Sequence, residues 1–365
     1  MHGGTQSYHT AVSPRSGGDT LAVRDRLCLN QLFNAAAAGP ELKLPDAGHS
    51  SGMFAGPVAS AEAVARYREQ GWASFEGLIG AAQAAELSGL ILRHAAEHLD
   101  RTVAAVAADH SVSAAAARRT IGRAVGGDAA AIALVNASAA SAASARDGST
   151  GLSALSNGGL SFGADDFDVD PHNEEHLIPR KVNACYVQDQ RYRDLVDAPE
   201  LRAMAEALVG KPCQVYGDQV FVKGAGIGSE KPFHQDNFYF QFAESADVIT
   251  CWVALDDALE ENGCMRMASG SHRRGTVEHD QHPLRKTHLI GHMTPEDEAN
   301  VAPAPVRRGG VVCWQGAMLH GSEGNLSDLG RCAYGVHFTA VGAPMLPGAP
   351  EPDFGIYESN RQPKL

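Results

Sequence analysis

The second half of the chain is a succession of short apolar runs cut by glycine, asparagine and aspartate. Beyond Phe233 come "DVITCWVAL", "GCMRMA", "GGVVCWQGAMLHG" and "RCAYGVHFTAV". Such short runs, rich in side chains that pack well on a pleated surface and separated by turn signals, predict an all-β sandwich or barrel. The first half carries helical periodicity instead. Ser60 can cap a short helix that ends at Gly71, "WASFEGLI" reads as a strand, and Ala81 to Leu99 is an amphipathic helix with Leu87, Leu90, Ile91 and His94 along one side. "KVNACYV" and "CQVYGDQVFVKG" read as strands, and "DAPELRAMAEALVG" as a helix closed by Gly210. The expected class is mainly β with flanking helices.

Other stretches are simpler. Residues 1–56 are rich in Gly, Ala, Ser and Pro without a sustained period, and a loosely ordered arm is expected there. Asp19 and Asp25 weigh against the alternative, an organellar transit peptide. A single domain is expected over 57–350, followed by a tail over 351–365. Within it, residues 102–159 are Ala/Ser-rich: "SVSAAAARRTIGRAV" is a candidate helix, and "NASAASAASARDGSTGLSALSNGG" is expected to be a mobile insertion. The acidic stretch "GADDFDVDPHNEEH" opens with EF-hand spacing at Asp166, Asp168 and Asp170. Pro171 replaces the required glycine and Leu177 the bidentate glutamate, so a calcium loop is excluded and a solvated loop near a site entrance is expected. "GAGIGSE" lacks the Lys-Ser/Thr of a phosphate-cradling loop.

The formal net charge of the 365 residues is −13 and the sequence pI is about 5.6. Without Lys/Arg clusters, such a chain is poorly suited to nucleic acid or anionic membranes, and a small-molecule partner is expected. No apolar run has the length of a membrane span. The seven cysteines (28, 185, 213, 251, 264, 313 and 332) are scattered with no Cys-x-x-Cys pair, which suits buried, reduced thiols in a cytoplasmic protein.

The segment with chemical content is "KPFHQDNFYFQF", Lys231 to Phe242. In an extended chain His234 and Asp236 point to one face, which begins either a metal site or a polar patch. His320, in "WQGAMLHGSEGNLSDLGRCAYGVHF", ends a strand before a Gly/Asn/Ser turn and can swing back toward the first pair. Two imidazoles and a carboxylate on one side of an ion leave the other side open, the facial arrangement of non-haem Fe(II) oxygenases. Arg331 begins the next strand. Its planar fork suits the far carboxylate of a dicarboxylate whose 2-oxo end chelates the metal, leaving one position for O2.

These blocks, with "YREQGWASFEGLI", "VQDQRYRDLVDAPELRAMAEALVG", "DQVFVKGAGIGSEKPFHQD" and "WVALDDALEENGCMRMASGSH", resemble the phytanoyl-CoA dioxygenase (PhyH-like) family of Fe(II)/2-oxoglutarate oxygenases over most of residues 60–345. The resemblance implies a double-stranded β-helix (jelly roll) buttressed by N-terminal helices. It puts the iron ligands on His234, Asp236 and His320 and the 2-oxoglutarate arginine on Arg331. Gln219, Trp252 and Ser322 align with positions lining the cosubstrate pocket. Tyr186, also counted with that pocket, stands where the phytanoyl-CoA enzyme has a lysine, and this departure points away from a CoA thioester. The implied chemistry is hydroxylation of an aliphatic C–H in a natural-product, amino-acid or lipid-like small molecule. Fe(II), 2-oxoglutarate and O2 are required, and succinate and CO2 are released. Related halogenases replace the ligand carboxylate by a small residue, so Asp236 implies hydroxyl rather than halide transfer.

The same residues admit two other functions less well. A zinc hydrolase would want a nearby Glu or His base and has no use for Arg331; a metal-free binding module leaves three ligand residues without purpose. His279, His282, His288 and His292 match no zinc spacing and read as an exposed lid loop. His272 is assigned to a turn, Trp314 to the core, Tyr239 or Phe240 equally to a pocket wall or to packing, and Glu260, Glu261 and Asn262 to a solvated turn.

Overall fold

A computed structural model of the chain describes residues 59–147 and 167–350 apart from 171, 184 and 284–287, together with 354 and 357. The arm expected over 1–56, the end of the Ala/Ser-rich stretch and most of the tail lie outside the described residues. In chain order the strands are β1 (Trp72–Phe75), β2 (Phe167–Asp170), β3 (Asn173–Pro179), β4 (Lys181–Asn183), β5 (Cys213–Lys223), β6 (Lys231–His234) and β7 (Val248–Ala254). There follow β8 (Met265–Ala268), β9 (His279–Gln281), β10 (Leu289–Gly291), β11 (Val301–Ala304), β12 (Val311–Gln315), β13 (His320–Ser322) and β14 (Arg331–Ala340).

A six-stranded sheet, β1-β12-β7-β14-β5-β4, packs against a four-stranded sheet, β11-β8-β13-β6, and every pairing is antiparallel. This is the expected jelly roll with flanking helices. Strand alternation divides the larger sheet's side chains between two cores. Trp252, Ala254, Val312, Trp314 and Ala333 point inward and meet Met265 and Met267 of the smaller sheet. Cys251, Val253, Cys313, Tyr334 and Val336 point outward and are covered by Leu87, Leu90 and Ile91 of the helix Ala81–Asp109 and by Leu201 and Met204 of the helix Pro199–Val209. Because both faces are covered, β7 is buried at all seven positions. Each Leu or Ile so removed from water contributes about 1.5–3 kcal/mol.

The helix ends follow the sequence signals. The Ser60 side chain accepts a hydrogen bond from Ala63 N, and Gly71 closes that helix at φ 86°, a left-handed conformation that glycine adopts without Cβ strain. Gly210 closes the helix Pro199–Val209 in the same way.

Four segments differ from expectation. In the Ala/Ser-rich stretch Ala114–Val125 is the candidate helix, but the chain is helical again over Ala129–Asp147, where a mobile insertion was expected, because alanine has the highest helix propensity and Asp128 caps this second helix through Ala130 N and Ala131 N. The helix before it runs on to Asp109, so that Leu99, Val103 and Val106 join Ile121, Val135, Phe167 and Leu177 in a second apolar cluster. The described part of the acidic stretch belongs to the paired strands β2 and β3 rather than to a solvated loop: Phe167 and Asp168 are buried, and Asp168 accepts from Ser229 N. Residues 260–262 form a 3-10 turn whose Asn262 is buried and caps it. In the tail, Tyr357 is buried and donates to the buried Asp218, which also accepts from Tyr334 Oη and Tyr186 N. The six described cysteines are free and buried. No helix among the described residues is long and apolar enough to cross a membrane.

Candidate metal centre and cosubstrate cavity

The strand expected over Lys231–Phe242 stops at His234. Asp236 opens a short helical turn, Asp236–Phe240, which Asn237 stabilises by bonding the backbone of Phe242 on both sides. His234 and Asp236 therefore do not converge by strand alternation. His234 ends β6, directly opposite His320 on β13, and Asp236 is brought in by the turn. The ligand atoms of His234, Asp236 and His320 all lie within 4.8 Å of one another, and all three residues are buried. Asp236 Oδ1 is 3.8 Å from His234 Nε2 and 3.5 Å from His320 Nε2.

Hydrogen bonds aim these atoms. His234 Nδ1 donates to Pro232 O at 2.8 Å and His320 Nδ1 to Met318 O at 2.9 Å, so each neutral ring presents a bare Nε2 to the others. Burial lowers both imidazole pKa values, which keeps the rings neutral. Asp236 Oδ2 accepts from Thr250 Oγ1 at 2.6 Å and from Trp314 Nε1 at 2.8 Å, leaving Oδ1 for the centre. Burial pushes that carboxyl upward, but His320, His337, Thr250 and Trp314 outweigh it and hold it below its usual value. Two bare imidazole nitrogens and one carboxylate oxygen form a donor set fit for a divalent transition metal.

A cavity of about 160 Å³ opens beside this centre. Arg331 lies in its wall, buried, with no ion-pair partner among the described residues and with Nε and Nη1 unbonded. Its guanidinium carbon sits 5.0 Å from the Trp252 ring centre, and burial lowers its pKa to about 10. Lys223, its register neighbour across β5 and β14, is turned away and donates to the carbonyls of Ser229 and Glu323. A buried cation with orphaned donors calls for an anion that the chain itself does not supply.

Of the expected cosubstrate contacts, Gln219, Trp252 and Ser322 line the cavity. Tyr186 is not among its lining residues: it sits in a 3-10 turn, its hydroxyl donates to Asp197, and its ring packs edge-on against Tyr357. Trp314, assigned to the core, lines the cavity and holds Asp236. Tyr239 and Phe240 both wall it. His272 lies in the 3-10 turn Ser271–Arg274 and bonds Arg68 O in the helix Ala61–Gln70, tying the turn to that helix. The described part of the histidine-rich segment includes the paired strands β9 and β10, where an exposed loop was expected. His279 Nε2 accepts from Gln235 N, and His288 is buried and lines the cavity. Sequence reasoning missed Lys181, Thr250 and His337. His337 was within reach, since it follows Arg331 by an even number of residues in one strand and so shares its face.

The family profile described as "Phytanoyl-CoA dioxygenase (PhyH)" matches residues 58–333. Among curated proteins, the chain is 34% identical over 183 residues to phytanoyl-CoA dioxygenase domain-containing protein 1 of Mus musculus, covering 48% of this chain and 62% of that one. It is 28% identical over 181 residues to L-proline trans-4-hydroxylase of Streptomyces griseoviridis, covering 44% and 68%. The chain thus spans about three fifths of the length of the mammalian relatives it matches. Two solved structures share the fold. The carbocyclase SnoK from nogalamycin biosynthesis is 23% identical with TM-score 0.51, over 80% of this chain and 90% of that one. EvdO2 from Micromonospora carbonacea var. aurantiaca is 17% identical with TM-score 0.52, over 82% and 98%. The profile match covers well over half of the chain: it belongs to the phytanoyl-CoA dioxygenase (PhyH) family.

Proposed function

We propose that this chain is an Fe(II)- and 2-oxoglutarate-dependent oxygenase that hydroxylates an aliphatic C–H of a small molecule. His234, Asp236 and His320 would hold the iron, and Arg331 would clamp the far carboxylate of 2-oxoglutarate. The observation that carries this reading is one cavity containing both three buried ligand atoms and the orphaned guanidinium of Arg331. Bound iron would supply a centre at which O2 and the 2-oxo acid react together. The overall balance is R–H + O2 + 2-oxoglutarate to R–OH + succinate + CO2.

The chain's own residues have separable tasks. Thr250 and Trp314 fix the Asp236 carboxylate, while the Pro232 and Met318 carbonyls fix the two imidazoles. Arg331, with Trp252 beneath it, orients the cosubstrate along the floor of the larger sheet, and Tyr239 and Phe240 wall the side open to substrate. Family membership and the hydroxylase named among the relatives support this chemistry. The test is substrate-dependent succinate release across a panel of amino acids, lipids and natural products, with Fe(II) and 2-oxoglutarate supplied. His234→Ala and His320→Ala should each lose bound iron and turnover. Full activity of chelator-stripped protein would refute the reading, and a chlorinated product formed in excess chloride would refute hydroxylation.

A further inference from the structure

Thr250 connects the metal-facing carboxylate to a second buried imidazole. Its Oγ1 lies 2.6 Å from Asp236 Oδ2 and 2.8 Å from His337 Nδ1. A carboxylate only accepts, so the single hydroxyl proton of Thr250 goes to Asp236, and at His337 the same oxygen must accept. His337 therefore carries its proton on Nδ1. Its Nε2 is left with a lone pair, and that atom is buried without a partner.

The strand geometry directs this atom. His337 pairs with Thr250 on β7 and Gly217 on β5, so Nδ1 faces β7. Cδ2 faces β5, where a Cβ built on Gly217 would lie 3.6 Å from it and meet nothing else within 4 Å. With one edge toward each neighbouring strand, the far edge, Cε1–Nε2, points off the sheet, and His337 lines the cavity on that side. A β-bulge between His337 and Phe338 fixes the side chain's aim, and Phe240 packs edge-on against the ring at 4.9 Å. Arg331 occupies the other end of the same strand face, roughly 20 Å away at 3.4 Å per residue. The cosubstrate clamp and the bare Nε2 thus mark opposite ends of the floor, with the three ligand residues against it. Burial also lowers the His337 pKa to about 4, which agrees with a neutral ring.

Resting on the reading of the site as an oxygenase, we propose that His337 is the substrate anchor: its bare Nε2 accepts a hydrogen bond from a hydroxyl, amine or amide N–H of the substrate at the cavity end opposite Arg331. The substrate class is thereby narrowed to molecules with such a donor near the carbon to be oxidised, and a plain hydrocarbon chain is excluded. Thr250 is the positioning residue that fixes the tautomer.

The test uses the full chain, labelled with 15N-histidine and loaded with Zn(II) and 2-oxoglutarate, with nitrogen resonances followed by NMR. His337→Phe assigns the signals. The probes are cyclohexanol and methoxycyclohexane, which differ in the donor. In the wild type, Nδ1 should carry the proton. Cyclohexanol should shift Nε2 saturably and about three- to tenfold more tightly than the ether, as loss of one neutral hydrogen bond requires. Thr250→Val, which keeps the imidazole, should populate the Nε2–H form and weaken that preference by at least about threefold. A wild-type proton on Nε2, equal shifts from both probes, or no shift from either overturns the proposal. Zinc and 2-oxoglutarate retention, measured on the same samples, report separately on the oxygenase reading. A chain that holds neither fails that reading, while the tautomer is still read from the metal-free protein.

Discussion

Arg331 shows at the scale of one residue how a binding group is made by withholding partners. Buried arginines are ordinarily satisfied, because desolvating a guanidinium costs several kcal/mol unless an anion meets it. Here the adjacent Asp256 is spent on Arg308, Ser88 and the Cys332 amide, and Lys223 is committed to backbone carbonyls. The unbonded donors of Arg331 are thus left for the proposed cosubstrate. Arg331→Ala should raise the 2-oxoglutarate concentration needed for half-maximal turnover by about ten- to a hundredfold, the loss of charge-assisted hydrogen bonds. Arg331→Lys should fall between, since it keeps the charge without the fork. An unchanged 2-oxoglutarate requirement in both variants would show that the carboxylate binds elsewhere. Arg331 could be singled out in sequence because its proposed role depends on position at a strand start and on charge. Trp314 was not: an indole in an apolar run reads as core, and only the register of β12 shows its N–H meeting Asp236.

At the scale of elements, the proposed metal centre depends on how closely β13 approaches β6. His320 is opposite His234 and Ser322 opposite Lys231, so β6 carries one extra residue between these pairs, a bulge that includes Pro232. Gly321 sits in this gap, where an added Cβ would come within 2.9 Å of Lys231 O and 3.1 Å of Phe233 Cδ2. The backbone oxygen cannot yield as a flexible side chain would. Gly321→Ala should push the strands apart, separate the two imidazoles and weaken metal binding by about ten- to a hundredfold, comparable to losing a supporting interaction of a metal ligand. Titration with Co(II), followed by visible absorption, measures this, and wild-type affinity in a folded variant would sink the idea. The strands themselves were legible from turn signals and apolar runs. The short helix at Asp236 was not, because "NFYF" has strand-forming side chains and the turn is set by Asn237 bonding locally to Phe242. The helix Ala129–Asp147 was missed for the opposite reason: composition that resembles a linker is also strong helix former, and the Asp128 cap marks the difference.

For the molecule as a whole, the helix Ala81–Asp109 belongs to two cores. Leu87, Leu90 and Ile91 cover the larger sheet, while Leu99, Val103 and Val106 pack with the two following helices and the β2–β3 hairpin. His98 lies between these groups, 1% exposed, with its ring 5.8 Å from that of Phe167. Burial, with a smaller contribution from Arg101, lowers its pKa to about 3. In the unfolded chain the same ring titrates near the ordinary histidine value of about 6.5. Between these values the unfolded state binds a proton that the folded state does not, so stability rises with pH across the window. His98 thus costs nothing near pH 7 and destabilises the fold progressively as pH falls below about 6.5, by about 2 kcal/mol at pH 5. Urea denaturation of metal-free protein at pH 7 and pH 5 should show the wild type losing about 2 kcal/mol more than His98→Gln over that interval. The difference should appear in the main transition, because the shared helix ties the helical cluster to the sandwich. Equal losses in the two proteins would mean that His98 is protonated in the folded state. A difference confined to a separate, earlier transition would mean that the cluster unfolds on its own and the long helix does not couple the two cores.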